Sequence, residues 1–345
     1  MPADPASEAA AAVARTLVGG QVDIVERVRG FGRNSGVWHV RSDDRSYALK
    51  QYPRPDGTRD RASIEFGALR FLAGHAIGAV PRALAADPIQ GYALLEWIDG
   101  EPVAAPSEAD IRSAADFLGA VHALRNTSDA AMQPQAAEAC LSGAEIVEQI
   151  ERRLARLVEV QPVEPTLGKF LEETVRPLLI EITAWARTGY DAANLSFVEP
   201  SDASRQTLCP SDFGFHNAMR RSSGELVFID FDYFGWDDPV KLIADILLHP
   251  GMLIREPLKR QFATSAIGIY RTDETFPVRL PLLYPLFAVR WCMILLNEFL
   301  PERWVNRVNA GEQTDWASAK QRQLDRAREW MHSLAANFQR FPYGE

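Results

Sequence analysis

The feature that most constrains this chain is a change of hydrophobic period near residue 98. Before it, apolar residues come in short runs rich in β-branched side chains, broken by glycine or charged turns. After it, they recur every three or four positions over long stretches. Val22, Ile24, Val25 and Val28 mark a first strand, alternating imperfectly with Asp23, Glu26 and Arg27. Val37 to Val40 form a second and Tyr47 to Lys50 a third. Gly30, Gly32 and Gly36 separate the first two, and Ser42-Asp43-Asp44-Arg45 the next two. The pattern predicts an antiparallel meander with a glycine-rich first turn. A short Ala-rich helix over 5–18, stopped by Gly19-Gly20, precedes it. Residues 59–74 follow as a helix carrying Ile64, Phe66, Leu69, Phe71 and Leu72. A strand pair comes next, around Ala83–Ala86 and Tyr92–Trp97, split at Pro88–Gly91. Asp99-Gly100-Glu101-Pro102 then reads as a hinge.

Beyond the hinge, helices are predicted over 107–124, 144–160 and 167–187, the last kinked by Pro177. Loops and short strands occupy 207–234, and helices resume from 239 to 338. The order of elements predicts an α+β fold in two lobes: a small antiparallel-sheet lobe over 1–98 and a large, mostly helical lobe over 99–345. The 345 residues suffice for that, and 47% hydrophobic with 24% charged residues is the composition of a chain with a packed core. A formal charge of −9 argues against nucleic acid as a partner and is compatible with a cationic substrate. Cys140, Cys209 and Cys292 are widely spaced without a C-x-x-C, which points to a reducing cytoplasm rather than a zinc knuckle or disulfide framework. Cys209 reads as a small buried filler, and the N-terminus lacks the basic stretch of a signal peptide. The apolar stretch Leu280 to Leu300 contains Arg290, Asn297, Glu298 and two prolines. That predicts a buried helix rather than a membrane span, with Arg290 paired to an acid such as Glu298.

The chemistry concentrates in Pro210-Ser-Asp212-Phe-Gly-Phe-His-Asn217, followed by Val227-Phe-Ile-Asp230-Phe-Asp232. Phosphoryl transfer needs one carboxylate to orient an attacking hydroxyl, and an amide oxygen with a second carboxylate to hold magnesium on the nucleotide phosphates. Hard oxygen donors suit magnesium better than zinc. Upstream, the loop Gly30-Phe-Gly32-Arg-Asn34-Ser35-Gly36 lies between two strands, where backbone N–H groups cover phosphates. Lys50 ends a strand, and Glu65 sits on the next helix, placed to pair with it. Each piece has a plainer reading alone. The glycines make a hairpin turn, Lys50 blunts a sheet edge, and Asp212 and Asn217 form turns. Asp230 resists the plain reading, because it follows Val-Phe-Ile and an unpaired carboxylate in apolar company is costly. His122, on an apolar helix face, reads as structural.

Together these motifs resemble the aminoglycoside phosphotransferase and choline kinase-like enzymes, which share the protein-kinase fold. The resemblance runs from about Val22 to Asp245. It implies that Gly30, Gly32, Asn34, Ser35 and Gly36 bind the nucleotide, with Lys50 as phosphate-binding lysine and Glu65 as its partner. Glu96-Trp97-Ile98 becomes the hinge whose backbone, at Glu96 and Ile98, bonds adenine. Asp212 becomes the catalytic base, with Asn217 and Asp230 as metal ligands, and ATP and Mg2+ are the implied cofactors. Leu118-Gly119-Ala-Val-His122 resembles the L-G-x-x-H helix, and Asp238-Pro239 with Asp245 the segment that braces the catalytic loop. Three positions depart from the family. Pro210 and Ser211 stand where His and Gly precede the Asp, and His216 replaces the Gly before the Asn. His216, Asp232, Trp236 and Asp237 are further candidates for substrate contact. The expected function is an ATP-dependent phosphotransferase that moves the γ-phosphoryl group to a hydroxyl of a small molecule of aminoglycoside, amino alcohol or sugar type. The alternative is a catalytically weak nucleotide-binding module, and a membrane or nucleic-acid partner is not expected.

Overall fold

The computed structural model describes residues 5–28, 36–53, 59–309 and 314–344. Its contacts divide the chain into two compact units: Met1–Ala137 with Leu208–Trp236, and Glu138–Thr207 with Asp237–Glu345. Gly30, Gly32, Asn34 and Ser35 fall outside the described residues.

The first unit is built on a five-stranded antiparallel sheet. Helix α1 (Pro5–Val18) leads into β1 (Ile24–Arg27), β2 (Gly36–Ser42) and β3 (Arg45–Gln51). Helix α2 (Arg61–Gly74) intervenes before β4 (Ala83–Asp87) and β5 (Tyr92–Glu96), and the strand order is β1-β2-β3-β5-β4. Register decides which face each side chain takes. Trp38 pairs with Leu49 and Leu49 with Leu94, and this row buries against Ala10, Val13 and Ala14 of α1. Val37 pairs with Lys50 and Lys50 with Ala93, on the opposite face. A slip of one residue would exchange the two faces. The two-residue turn Asp43-Asp44 prevents it, Asp43 taking a left-handed φ of 51° while Ser42 pairs with Arg45.

Helix α2 starts at its cap, Asp60, whose carboxylate accepts the Ser63 N–H. Gly100–Pro102, in the segment expected as a hinge, is a short strand, β6, and α3 (Glu108–Ala123) follows it. A capping box of Ser107 and Asp110 opens α3, and Asp110 also receives both Nη atoms of Arg220, at 2.7 and 2.8 Å.

The second unit is helical. It holds α4 (Gly143–Glu159) and a continuous helical stretch made of α5 (Pro165–Phe170), a π-helical turn at Leu171–Val175 and α6 (Arg176–Ala192). Pro177 has no N–H to give and its ring crowds the carbonyl four residues back, so the widened turn lies just ahead of it. In chain order β7 (Thr207–Cys209), β8 (Ala218–Arg221), β9 (Leu226–Phe228) and β10 (Gly235–Asp237) come next. The helices α7 (Pro239–Leu248), α8 (Glu256–Ile269), α9 (Phe276–Leu295), α10 (Pro301–Asn309) and α11 (Trp316–Asn337) complete the chain. In the first unit β8 lies between β6 and β9. Helix α9 packs against α4, α6, α7 and α11. Phe276–Phe299 is long and apolar enough to cross a bilayer, but 78% of its apolar window is buried inside the protein. The predicted partner of Arg290 is wrong. The guanidinium pairs with Asp245 at 2.5 Å and with Gln149 at 3.1 Å, while Glu298 pairs with Arg307. Asp245 is deep enough that buried cations must offset its desolvation, and Arg290 of α9 with Lys241 of α7 at 3.5 Å supply them.

His122 gives a pH signature. Burial, with Arg125 beside it, holds its pKa down to about 4 from 6.5. Between those values the unfolded chain binds a proton that the native state refuses. The stabilisation is therefore complete above 6.5 and is lost as pH falls toward 4. Replacing His122→Gln should flatten that dependence. Urea titrations should show the wild type losing up to about 3 kcal/mol more than the variant between pH 7 and pH 4.

Candidate active site

Three local devices bring the candidate residues together, and all lie in the first unit. The first is the strand register that turns Lys50 away from the α1 core. Its Nζ lies 2.5 Å from Glu65 Oε2 and 2.6 Å from Asp230 Oδ1. Glu65, only 1% exposed on α2, does more than pair with the lysine. The same Oε2 accepts the Tyr52 hydroxyl at 2.6 Å, and Oε1 accepts the Phe231 N–H at 3.1 Å. One carboxylate thus ties strand, helix and the backbone just past Asp230. Burial works against charge on Lys50, but Asp230 and Glu65 outweigh it and its pKa is raised. Tyr52 is pushed up by burial and then by Glu65, so the phenol stays protonated and donates.

The second device is the loop 210–217. Phe213 and Phe215 are buried, and Phe213 stacks on Phe117 at 5.4 Å and tilts against Phe228 at 4.6 Å. These rings pin the loop and leave Asp212, between them in sequence, about half exposed. Asn217 closes it: its Nδ2 donates to the Asp212 carbonyl at 2.9 Å, which leaves the amide oxygen as its remaining polar group. His216 Nε2 lies 3.1 Å from Asp212 Oδ1.

The third is the exit from β9. Ile229 N–H donates to the Asn217 carbonyl at 2.9 Å, and Asp230 takes a left-handed φ of 71°, which a non-glycine residue holds only at a cost. Asp232 follows, 4% exposed, with Arg61 Nη1 at 3.4 Å. Burial and then Asp230 push its pKa up to about 7. Crowded carboxylates beside an amide oxygen form an oxygen-only donor set. Such a set fits a hard divalent cation, which would relieve their repulsion.

A cavity of about 350 Å3 opens onto this cluster. Val28, Val37, Ala48 and Leu95 line it from the five-stranded sheet, and Met219 and Ile229 from the β8–β9 region. Trp97, Ile98 and Gly100 add the connecting segment, and Lys50, Glu65, Asn217 and Asp230 supply its polar end. Apolar walls with charge at one end suit a flat heterocycle carrying phosphates. A Cβ on Gly100 would lie 2.5 Å from the Arg220 carbonyl oxygen, so only glycine lets β6 approach β8 here.

The remaining candidates have other surroundings. Gly36 begins β2, and Glu96 pairs with Arg221 at 2.9 Å and Arg82 at 3.3 Å. Trp236 donates through Nε1 to the Ala130 carbonyl at 3.0 Å. Asp237 is fully buried and committed to Lys241 at 3.0 Å and to the N–H groups of Cys140 and Asp238, so it presents no surface to a substrate. Tyr52 and Arg61 are contributors that sequence reading missed. The residues between Lys50 and Glu65 carry no periodic signal that would have singled them out.

A family model described as the phosphotransferase enzyme family (APH) matches residues 26–274, and the chain belongs to that family. No curated protein matches the chain by sequence. Among solved structures, spectinomycin phosphotransferase in complex with ADP and spectinomycin aligns with a TM-score of 0.62 at 12% identity, covering 99% of this chain and 100% of that one. Choline kinase from Cryptosporidium parvum aligns at 0.58 and 13%, covering 95% and 96%. Choline kinase LicA from Streptococcus pneumoniae aligns at 0.57 and 15%, covering 96% and 100%. At such identities they show the fold, which is α+β and protein-kinase-like, with a small antiparallel sheet ahead of a mostly helical remainder.

Glu65→Ala should be the most destabilising change at this site. It leaves a buried ammonium short of one carboxylate and orphans the Tyr52 hydroxyl and the Phe231 N–H. Urea unfolding should register a loss of about 3–5 kcal/mol. A loss under about 1 kcal/mol would contradict the role given to this carboxylate.

Proposed function

We propose that the protein is an ATP-dependent phosphotransferase acting on a hydroxyl of a small molecule. The observation that carries the reading is the convergence of Lys50, Glu65 and Asp230 at the polar end of an apolar cavity, with Asn217 on the same wall. Membership in a phosphotransferase family supports it, as do structural relatives that hold ADP or are named as kinases of choline. Residues 1–98 serve as the nucleotide lobe and 99–345 as the lobe carrying catalytic loop and acceptor, in a cytoplasmic enzyme.

In this reading the adenine lies among Val37, Ala48, Leu95 and Met219 and bonds the backbone at Glu96 and Ile98. The segment from Gly30 to Gly36 covers the phosphates. Lys50 holds the α- and β-phosphates, and Glu65 keeps its ammonium aimed. Asn217 and Asp230 would hold magnesium, which when bound neutralises phosphate charge. Asp212 orients the acceptor hydroxyl and takes its proton as the oxygen attacks the γ-phosphorus, the bond to the β–γ bridging oxygen breaks and ADP leaves. His216, within hydrogen-bond distance of Asp212, restrains that carboxylate. Asp232 and Trp236 remain candidates for acceptor contact, and Asp237 does not. Catalysis then comes from positioning and charge neutralisation.

Asp212→Ala should keep ATP binding within about twofold while lowering turnover by about 100-fold or more, measured as ADP release with magnesium and a panel of hydroxyl-bearing acceptors. Full turnover in the variant removes Asp212 from the role of base. Asp230→Ala should abolish the magnesium-dependent part of the ATP thermal shift, and an unchanged shift in that titration would place the metal elsewhere.

A further inference from the structure

Local conformation and local residue type disagree at Ser211. Its φ is 68°, a left-handed value that glycine adopts freely and serine does not. Yet Ser211 is nearly buried and bonded on both sides. Its N–H donates to the Cys209 sulfur at 3.1 Å, and its hydroxyl donates to the Ala137 carbonyl at 3.2 Å. Asp212 follows at once, its own N–H donating to the Pro210 carbonyl at 3.1 Å.

Ala137 ends a segment that reaches the other acidic arm. The Ala137 N–H donates to the Tyr233 carbonyl at 3.0 Å, one residue past Asp232. The Ala136 N–H donates to the Trp236 carbonyl at 2.9 Å, and the Trp236 N–H donates to the Pro134 carbonyl at 2.8 Å. The Arg59 guanidinium donates to the Gln135 carbonyl at 3.1 Å and to the Phe234 carbonyl at 3.4 Å. Residues 134–137 are therefore laced to 233–236 by backbone bonds, while their bond to the Asp212 arm runs through the Ser211 hydroxyl.

We propose that Ser211 and residues 134–137 form a bracket that sets the spacing of Asp212 from Asp230 and Asp232, with Ser211 as a positioning residue for phosphoryl transfer. The inference rests on the function proposed above and adds a role to a residue in a stretch that departs from the family pattern. A strained φ kept for the sake of a hydroxyl contact is the mark of a position chosen for geometry over stability. Since reactivity falls steeply with misplacement of about 1 Å, loosening this link is enough to matter.

Ser211→Gly separates the two roles, because glycine removes the hydroxyl and relieves the backbone. Its melting temperature should equal or exceed that of the wild type. Hydrogen exchange on the full chain should nevertheless quicken in both 208–217 and 231–237. ADP release from ATP and magnesium should drop about tenfold or more, with KM for ATP within about twofold. Ser211→Asn, which tolerates the same φ and offers a side-chain donor, should recover part of the rate. Unchanged exchange in 231–237, or unchanged turnover in Ser211→Gly, overturns the bracket. Absence of ADP release from the wild type with ATP, magnesium and the acceptor panel would instead overturn the proposed function. The exchange measurement decides the bracket even where turnover is slow.

Discussion

The site depends on one carboxylate. Glu65 sits almost without solvent on α2 and receives three donors: the Lys50 ammonium, the Tyr52 hydroxyl and the Phe231 N–H. A buried carboxylate is tolerable only when so well satisfied, and the donors come from two separate segments, the end of β3 and the backbone just past Asp230. The same atom group therefore neutralises a buried lysine, keeps a phenol protonated and holds the backbone next to Asp230. This is why Lys50 and Asp230, 180 positions apart, meet at 2.6 Å.

Around that carboxylate the backbone is held in conformations its residues would not choose locally. Asp230 and Ser211 both have left-handed φ, and neither is glycine. Their cost is met by contacts on either side: the Asn217–Ile229 and Glu65–Phe231 bonds at Asp230, and the Cys209 and Ala137 bonds at Ser211. The phenylalanines between the polar residues supply the rest. Phe213, Phe215, Phe228, Phe231 and Phe234 are all buried, so the polar residues among them reach solvent or one another only in certain directions.

Much of this was legible in the chain. The change of period near residue 98 announced a small sheet ahead of a helical remainder, since alternation and helical spacing are written in consecutive residues. Lys50, Glu65, Asp212, Asn217 and Asp230 could be singled out in order through the resemblance to the family, and the structure brings Lys50, Glu65 and Asp230 into contact. Less legible were Tyr52, Arg61, whose partner Asp232 lies far along the chain, and Asp237. A carboxylate beside a tryptophan looks the same in sequence whether it faces solvent or Lys241. Arg290 failed in the same way, because a helical neighbour such as Glu298 is near in sequence while Asp245 is near in space.

The amino-acid sequence by itself determined the kinds of element, their order, and the inventory of carboxylates, amide and ammonium that the site employs. These follow from hydrophobic period and side-chain chemistry, which are local properties. Tertiary structure alone decided which of those groups touch, which are buried beyond reach, and that Ser211 grips Ala137. Contacts between distant residues depend on sheet register, burial and the desolvation of charge, none of which any short stretch of chain contains.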